Sequence, residues 1–159
     1  MILKNGVTGF TAGDLSLERD YDSLVATFKK NCYKAVQHVK GQVLHWYDPE
    51  IDLCYAHAHV QVNHQKLYIL YNASCDYIAF TTNRSITSLQ FINHAELAQS
   101  FAEQYRVLTV AELEEPLRKQ KKGDGHNLLN ENTLNHVELY YMDYFPTEKV
   151  GDLVFNYWD

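Results

Sequence analysis

The stretch Leu53-Cys54-Tyr55-Ala56-His57-Ala58-His59-Val60-Gln61-Val62-Asn63-His64-Gln65-Lys66-Leu67-Tyr68-Ile69-Leu70-Tyr71 decides how this chain folds. Cys54, Ala56, Ala58 and Val60 stand at every second position, and so do Leu67, Ile69 and Tyr71. A period of two is the mark of a strand, because successive side chains point to opposite faces. Asn63-His64 lies between the two runs, and Asn tolerates the positive φ that a two-residue hairpin turn requires. The register that keeps one face apolar pairs Val60 with Leu67, Ala58 with Ile69 and Ala56 with Tyr71.

The same alternation extends outward. A strand over Gln42–Tyr47 is expected to join a second over 53–62 through a turn at Asp48-Pro49-Glu50, pairing Trp46 with Cys54 and Leu44 with Ala56. The third strand covers 66–71, and a fourth, Tyr77–Thr81, follows a turn at Ser74-Cys75-Asp76. Before the strands, Tyr21, Leu24, Val25, Phe28 and Cys32 recur at helical spacing behind Asp20, so a helix is predicted there. Asn93 with Glu96, and Thr109 with Glu112, have the spacing of capping boxes for two later helices. Leu97, Phe101 and Tyr105 give the first of these its buried stripe. The polar run 119–135, with Gly123 and Gly125, reads as the most mobile loop. Residues 137–145 read as a strand, with Val137, Leu139, Tyr141 and Phe145 on its apolar face and Glu138, Tyr140 and Tyr144 outward. Thr147 would cap a last helix presenting Val150, Leu153, Val154 and Tyr157; Gly151 opposes that helix, and a strand over 154–158 is the alternative. The expectation is one α+β domain spanning 1–159: an antiparallel meander of four to five strands packed against an N-terminal helix and later helices.

Composition narrows the function. The 159 residues are 46% hydrophobic and 21% charged, which places the chain among globular proteins. No apolar run approaches the roughly 20 residues that span a bilayer, and no basic-then-apolar leader opens the sequence. Cys32, Cys54 and Cys75 have no CxxC or CxxH spacing, so free thiols in the cytoplasm are expected rather than a zinc knuckle or disulfide framework. A net charge of −6 disfavours nucleic acid and anionic membranes as partners and suits a basic protein. The bases Arg118, Lys119, Lys121 and Lys122 have no interleaved aromatics, which a nucleic-acid surface would want. Twelve tyrosines exceed what a core needs, and tyrosine is enriched where proteins meet.

The chemistry-bearing constellation is on the meander. His57 and His59 point the same way from one strand, and the expected register adds His45 and Tyr55 to that face and sets Tyr68 opposite His59. Imidazoles gathered on a sheet could bind a zinc-like metal through His45, His57 and His59, or transfer protons near neutral pH. A metal would need a further firm ligand, and Asp52 would have to reach around the turn. No activated cysteine, G-x-S-x-G or Walker pattern is present, and no cofactor motif is found.

Lys4-Asn5-Gly6-Val7-Thr8-Gly9-Phe10, the run from Tyr68-Ile69-Leu70-Tyr71-Asn72 to Ile78-Ala79-Phe80, and the ending Val150-Gly151-Asp152-Leu153-Val154-Phe155-Asn156-Tyr157-Trp158-Asp159 together resemble a family of small, mostly uncharacterised bacterial proteins. The resemblance carries no catalytic signature and implies an immunity or antitoxin-type partner of another protein. The expected function is therefore non-enzymatic: a tyrosine-rich face occludes a basic site on a partner such as a toxin. Tyr55, His57, His59 and Tyr68 would form one contact patch, Tyr140 and Tyr144 another. A small metal-dependent hydrolase on the histidine face is the alternative. A small-ligand sensor with a pocket between the sheet and the C-terminal helix is a third reading.

Overall fold

The computed structural model describes residues 1–14, 18–49, 54–85, 88–123 and 125–157. Helix α1 spans Tyr21–His38 and opens on Asp20, whose carboxylate accepts from Ser23 N at 3.1 Å. That bond satisfies one of the orphan donors at the helix start. Phe28, Cys32, Ala35 and Val36 are its buried face, and they pack on the meander.

The meander is antiparallel: β1 (Gln42–Tyr47), β2 (Ala56–Val62), β3 (Gln65–Asn72), β4 (Tyr77–Thr81) and β5 (Phe91–Ile92), in that order. A sixth strand, β6 (Arg106–Val107), pairs with β4 in parallel. The β2–β3 register is the expected one, with Val60 facing Leu67, Ala58 facing Ile69 and Ala56 facing Tyr71. Its turn is local chemistry: Asn63 and His64 both take left-handed φ, at 49° and 65°.

The β1–β2 register departs from expectation. Trp46 faces Ala58, not Cys54, and a bulge at Leu44 separates the Val43–Val60 pair from the His45–His59 pair. At Trp46 the shift is an even number of residues, so Trp46 and His45 keep their faces, while Val43 and Leu44 exchange theirs at the bulge. Alternation detects odd slips only and leaves even ones open. The bulge lets Val43 and Trp46 both pack on the α1 side and pushes Leu44 outward. Glu50 and Leu53, which the turn and strand expectations include, lie outside the described residues.

Both faces of the central strands are covered. Ala58, Val60, Leu67, Ile69, Ile78 and Phe80 pack on α1 and on α2 (Ala95–Phe101). Leu70, Tyr77 and Ala79 pack on Leu3, Val7, Leu108, Met142 and Leu153, so a second core lies beneath the sheet. β4 is buried at all five positions, the pattern of a strand sandwiched between layers.

That second layer contains the elements read least well from sequence. Residues 137–145 are not a strand: α4 spans His136–Tyr144. Asn135 accepts from Val137 N and Glu138 N, and Glu138 returns a bond from Asn135 N at 3.0 Å, a complete capping box. Glu138 and Met142 are therefore its buried pair, and Val137, Leu139 and Tyr141 are only half-buried. The 119–135 run is not a structureless loop. It holds the hairpin of β7 (Lys119–Lys122) and β8 (Gly125–Leu128), turned at Gly123 with φ 60°. Its asparagines bind backbone: Asn130 accepts from Arg118 N and donates to Pro116 O, and Asn132 donates to Leu128 O.

His94, not Asn93, caps α2, and Asn93 accepts from Val110 N instead. α3 (Val110–Leu113) has the expected Thr109–Glu112 box. α5 (Val150–Val154) starts after Lys149; Thr147 donates to Met142 O and accepts from Lys119 Nζ. Gly151 suits α5 because a Cβ there would lie 2.4 Å from the Phe91 ring. No helix among the described residues is long and apolar enough to cross a membrane.

Candidate functional site

Strand phase places the imidazoles as expected. Trp46, Ala58 and Leu67 face α1, and His57 and His59 face the other way. On that side Tyr47 stacks on His57 at 4.4 Å and 11°, His59 stacks on Tyr68 at 4.6 Å and 12°, and His45 packs on Tyr47 at 4.3 Å. The second core changes what this cluster presents. Tyr55 is 5% exposed, with its ring edge-on to Phe155 at 5.7 Å, and His57 is 1% exposed. His59 and Tyr68 are half-buried and His45 is exposed.

No local pattern pointed to Arg84, which comes from the loop after β4. Its guanidinium lies 4.2 Å from the Tyr47 ring centroid, and its Nε donates to His57 Nε2 at 2.9 Å. That bond fixes the tautomer: Nε2 is the acceptor, so the proton sits on Nδ1, which is buried and has no partner among the described residues. Burial, then the neighbouring Arg84 and His45, push His57 down to about 4 from its ordinary 6.5. Among the described residues the groups facing it are Arg84, His45, Tyr47, Tyr55 and Tyr68, none of them a carboxylate that would favour the imidazolium.

The unfolded chain thus binds a proton at His57 that the folded chain refuses. Stability from this site is complete above about pH 6.5 and is lost as pH falls to about 4. Urea midpoints compared between wild type and His57→Phe should diverge across that window, the wild type losing more. Parallel pH dependence would show that His57 is not the responsible group.

Among the described residues, no three His, Cys, Asp or Glu side chains are placed to hold a metal ion. His57 meets a guanidinium at the nitrogen a metal would take, and a fixed cation there opposes a second one. Asp52 lies outside the described residues. The thiols are poor nucleophiles: burial pushes Cys32 and Cys54 up to about 12 and Cys75 to about 11.

The other expected patch lies on α4. Tyr140 and Tyr144 are 64% and 71% exposed and stack at 6.4 Å and 17°. Tyr140 meets Tyr141 at 5.5 Å, Tyr144 meets Phe145 at 5.1 Å, and Tyr141 stacks on Phe10 at 4.5 Å and 12°. Five aromatic rings therefore form one ridge. Sequence reading found its two exposed members and missed Phe10, whose partner is more than a hundred residues away.

Phe10 also borders a cleft of about 810 Å³ between the N-terminal half of α1, the 8–10 loop and the entrance to β2. Tyr21, Asp22, Asp48, Tyr55 and Asn156 are among its walls. The chain matches no family model, no curated protein and no solved structure, so no family is assigned to it.

Proposed function

We propose that this chain is a non-catalytic protein-binding domain of the immunity or antitoxin kind, which occludes a basic site on its partner. The observation that supports this most is the aromatic ridge on α4. Two stacked tyrosines held in solvent by a capped helix have no role in either core, and rigid, amphipathic rings are what protein interfaces use as anchors. A net charge of −6 would speed encounter with a basic partner. The resemblance to small, mostly uncharacterised bacterial proteins, a group in which immunity partners are common, points the same way. Of the sheet-face residues, His59, Tyr68 and His45 can reach a partner, while Tyr55 and His57 support them from below. A metal-dependent hydrolase built on His45, His57 and His59 has no comparable observation behind it.

The test is co-purification with a basic protein encoded beside this one. Tyr140→Ala/Tyr144→Ala should fold like the wild type and lose about 2 kcal/mol or more of binding, the size expected of interface hot spots. His59→Ala/Tyr68→Ala, assayed in parallel, measures the sheet patch. Undiminished capture by the Tyr140/Tyr144 variant would refute the ridge as the contact surface.

A further inference from the structure

We propose that the cleft beside Phe10 receives an arginine side chain of the protein partner, an inference that rests on the protein-binding reading and names the chemistry of one contact. The cleft holds about 810 Å³, within the range of sites that take ligands. Its polar groups include two carboxylates and one ammonium, with hydroxyls and an amide between them. Asp22 stands in the first turn of α1, and Asp48 follows β1, accepting from Trp46 Nε1 at 2.8 Å through one oxygen.

Asn156 is the telling wall residue, because it is only 4% exposed. Its Nδ2 donates to Thr8 O at 3.0 Å and to Leu153 O at 2.9 Å, which fixes the amide orientation. Oδ1 is then its one side-chain polar atom without a partner among the described residues, on a side chain that lines the cleft. An amide oxygen with unused lone pairs on a cleft wall can pair with a donor that enters the cleft. Two carboxylates and that oxygen, among Phe10, Tyr21 and Tyr55, suit a planar cation that carries several N–H groups and stacks on rings.

Lysine would offer a point charge and no stacking plane, so guanidinium fits better. Lys29, the cation on the same wall, sits 5.2 Å from the Trp46 ring centroid and leaves the two carboxylates in excess. The occupant belongs to a protein rather than to a free metabolite because Phe10 joins the cleft to the ridge, so one surface can engage both.

NMR titration of the full chain with N-acetyl-arginine methylamide tests this, with the citrulline analogue as the uncharged isostere. The arginine probe should shift the Asn156 side-chain amide and the Tyr21 and Asp22 signals saturably, and citrulline should not. Asp22→Asn/Asp48→Asn, which leaves both cores untouched, should weaken the response about tenfold or more, as expected for loss of charge-assisted bonds. Equal binding of citrulline, or no saturable shift at Asn156, overturns the proposal. Tyr140→Ala/Tyr144→Ala should leave this titration unchanged, so a failed ridge and a failed cleft give different results.

Discussion

Replacing Glu138 with Ala should lower the unfolding free energy by about 3–5 kcal/mol. Glu138 is fully buried, and three donors converge on it: Thr8 N at 3.2 Å, Thr8 Oγ1 at 2.8 Å and Asn135 N at 3.0 Å. Alanine strands all three, and each unsatisfied buried donor costs about 1–3 kcal/mol. The α4 capping box goes with them, worth about 1 kcal/mol more. Removing a carboxylate that burial penalises returns part of that loss. It does not return most of it, because the stranded N–H groups remain in place. Glu138→Gln keeps the shape but turns an NH₂ toward a donor, and should lose about half as much. Urea unfolding with matched slopes gives both numbers. A loss below about 1 kcal/mol in the alanine variant would mean that water replaces the carboxylate and that the 8–10 loop is not pinned by it.

Asn72→Ala should be as damaging, at about 3–5 kcal/mol. Asn72 has no exposed surface, and its Nδ2 donates to Val7 O and Val154 O, both at 2.7 Å, while Oδ1 accepts from Ser74 N at 2.8 Å. One side chain at the end of β3 thus ties the N-terminal loop and α5 to the sheet. Alanine leaves the Val7 carbonyl and the Ser74 N–H without the bonds Asn72 gave them, and the Val154 carbonyl with only the weak Cys54 Sγ donor at 3.4 Å. Asn72→Asp is the harsher test, since it directs an acceptor at two acceptors and places a charge in the second core. The alanine variant should show faster amide exchange around Val7 and Val154 than at β2 and β3. Uniform protection with a small stability change would show that the second layer stays docked without this pin.

The two variants explain where sequence reading succeeded and where it stopped. The β2–β3 hairpin was legible because its information is local: a turn dipeptide able to take positive φ, and alternation on either side of it. Helix α1 was legible for the same reason, through its Asp20 cap and apolar stripe. The β1–β2 register was not, since alternation fixes which face a side chain takes and says nothing about even shifts. Residues 137–145 alternate like a strand, yet Asn135 and Glu138 form a capping box that outweighs the alternation. That spacing was present in the chain and would have identified the helix. Tyr140 and Tyr144 came out together under either reading, because a separation of four returns to the same face of a strand and also of a helix.

From its residues alone the chain determined the α+β class, the meander, the inward phase of Trp46, Ala58 and Leu67, and the paired tyrosines at 140 and 144. Only the tertiary structure decided that the opposite face of the sheet is covered too, which buries Tyr55 and His57, sets Arg84 on the imidazole and brings Phe10 to Tyr141. The reason is that periodicity records how a strand or helix orients its own side chains. What later packs on that face comes from distant segments, and no local pattern encodes their arrival.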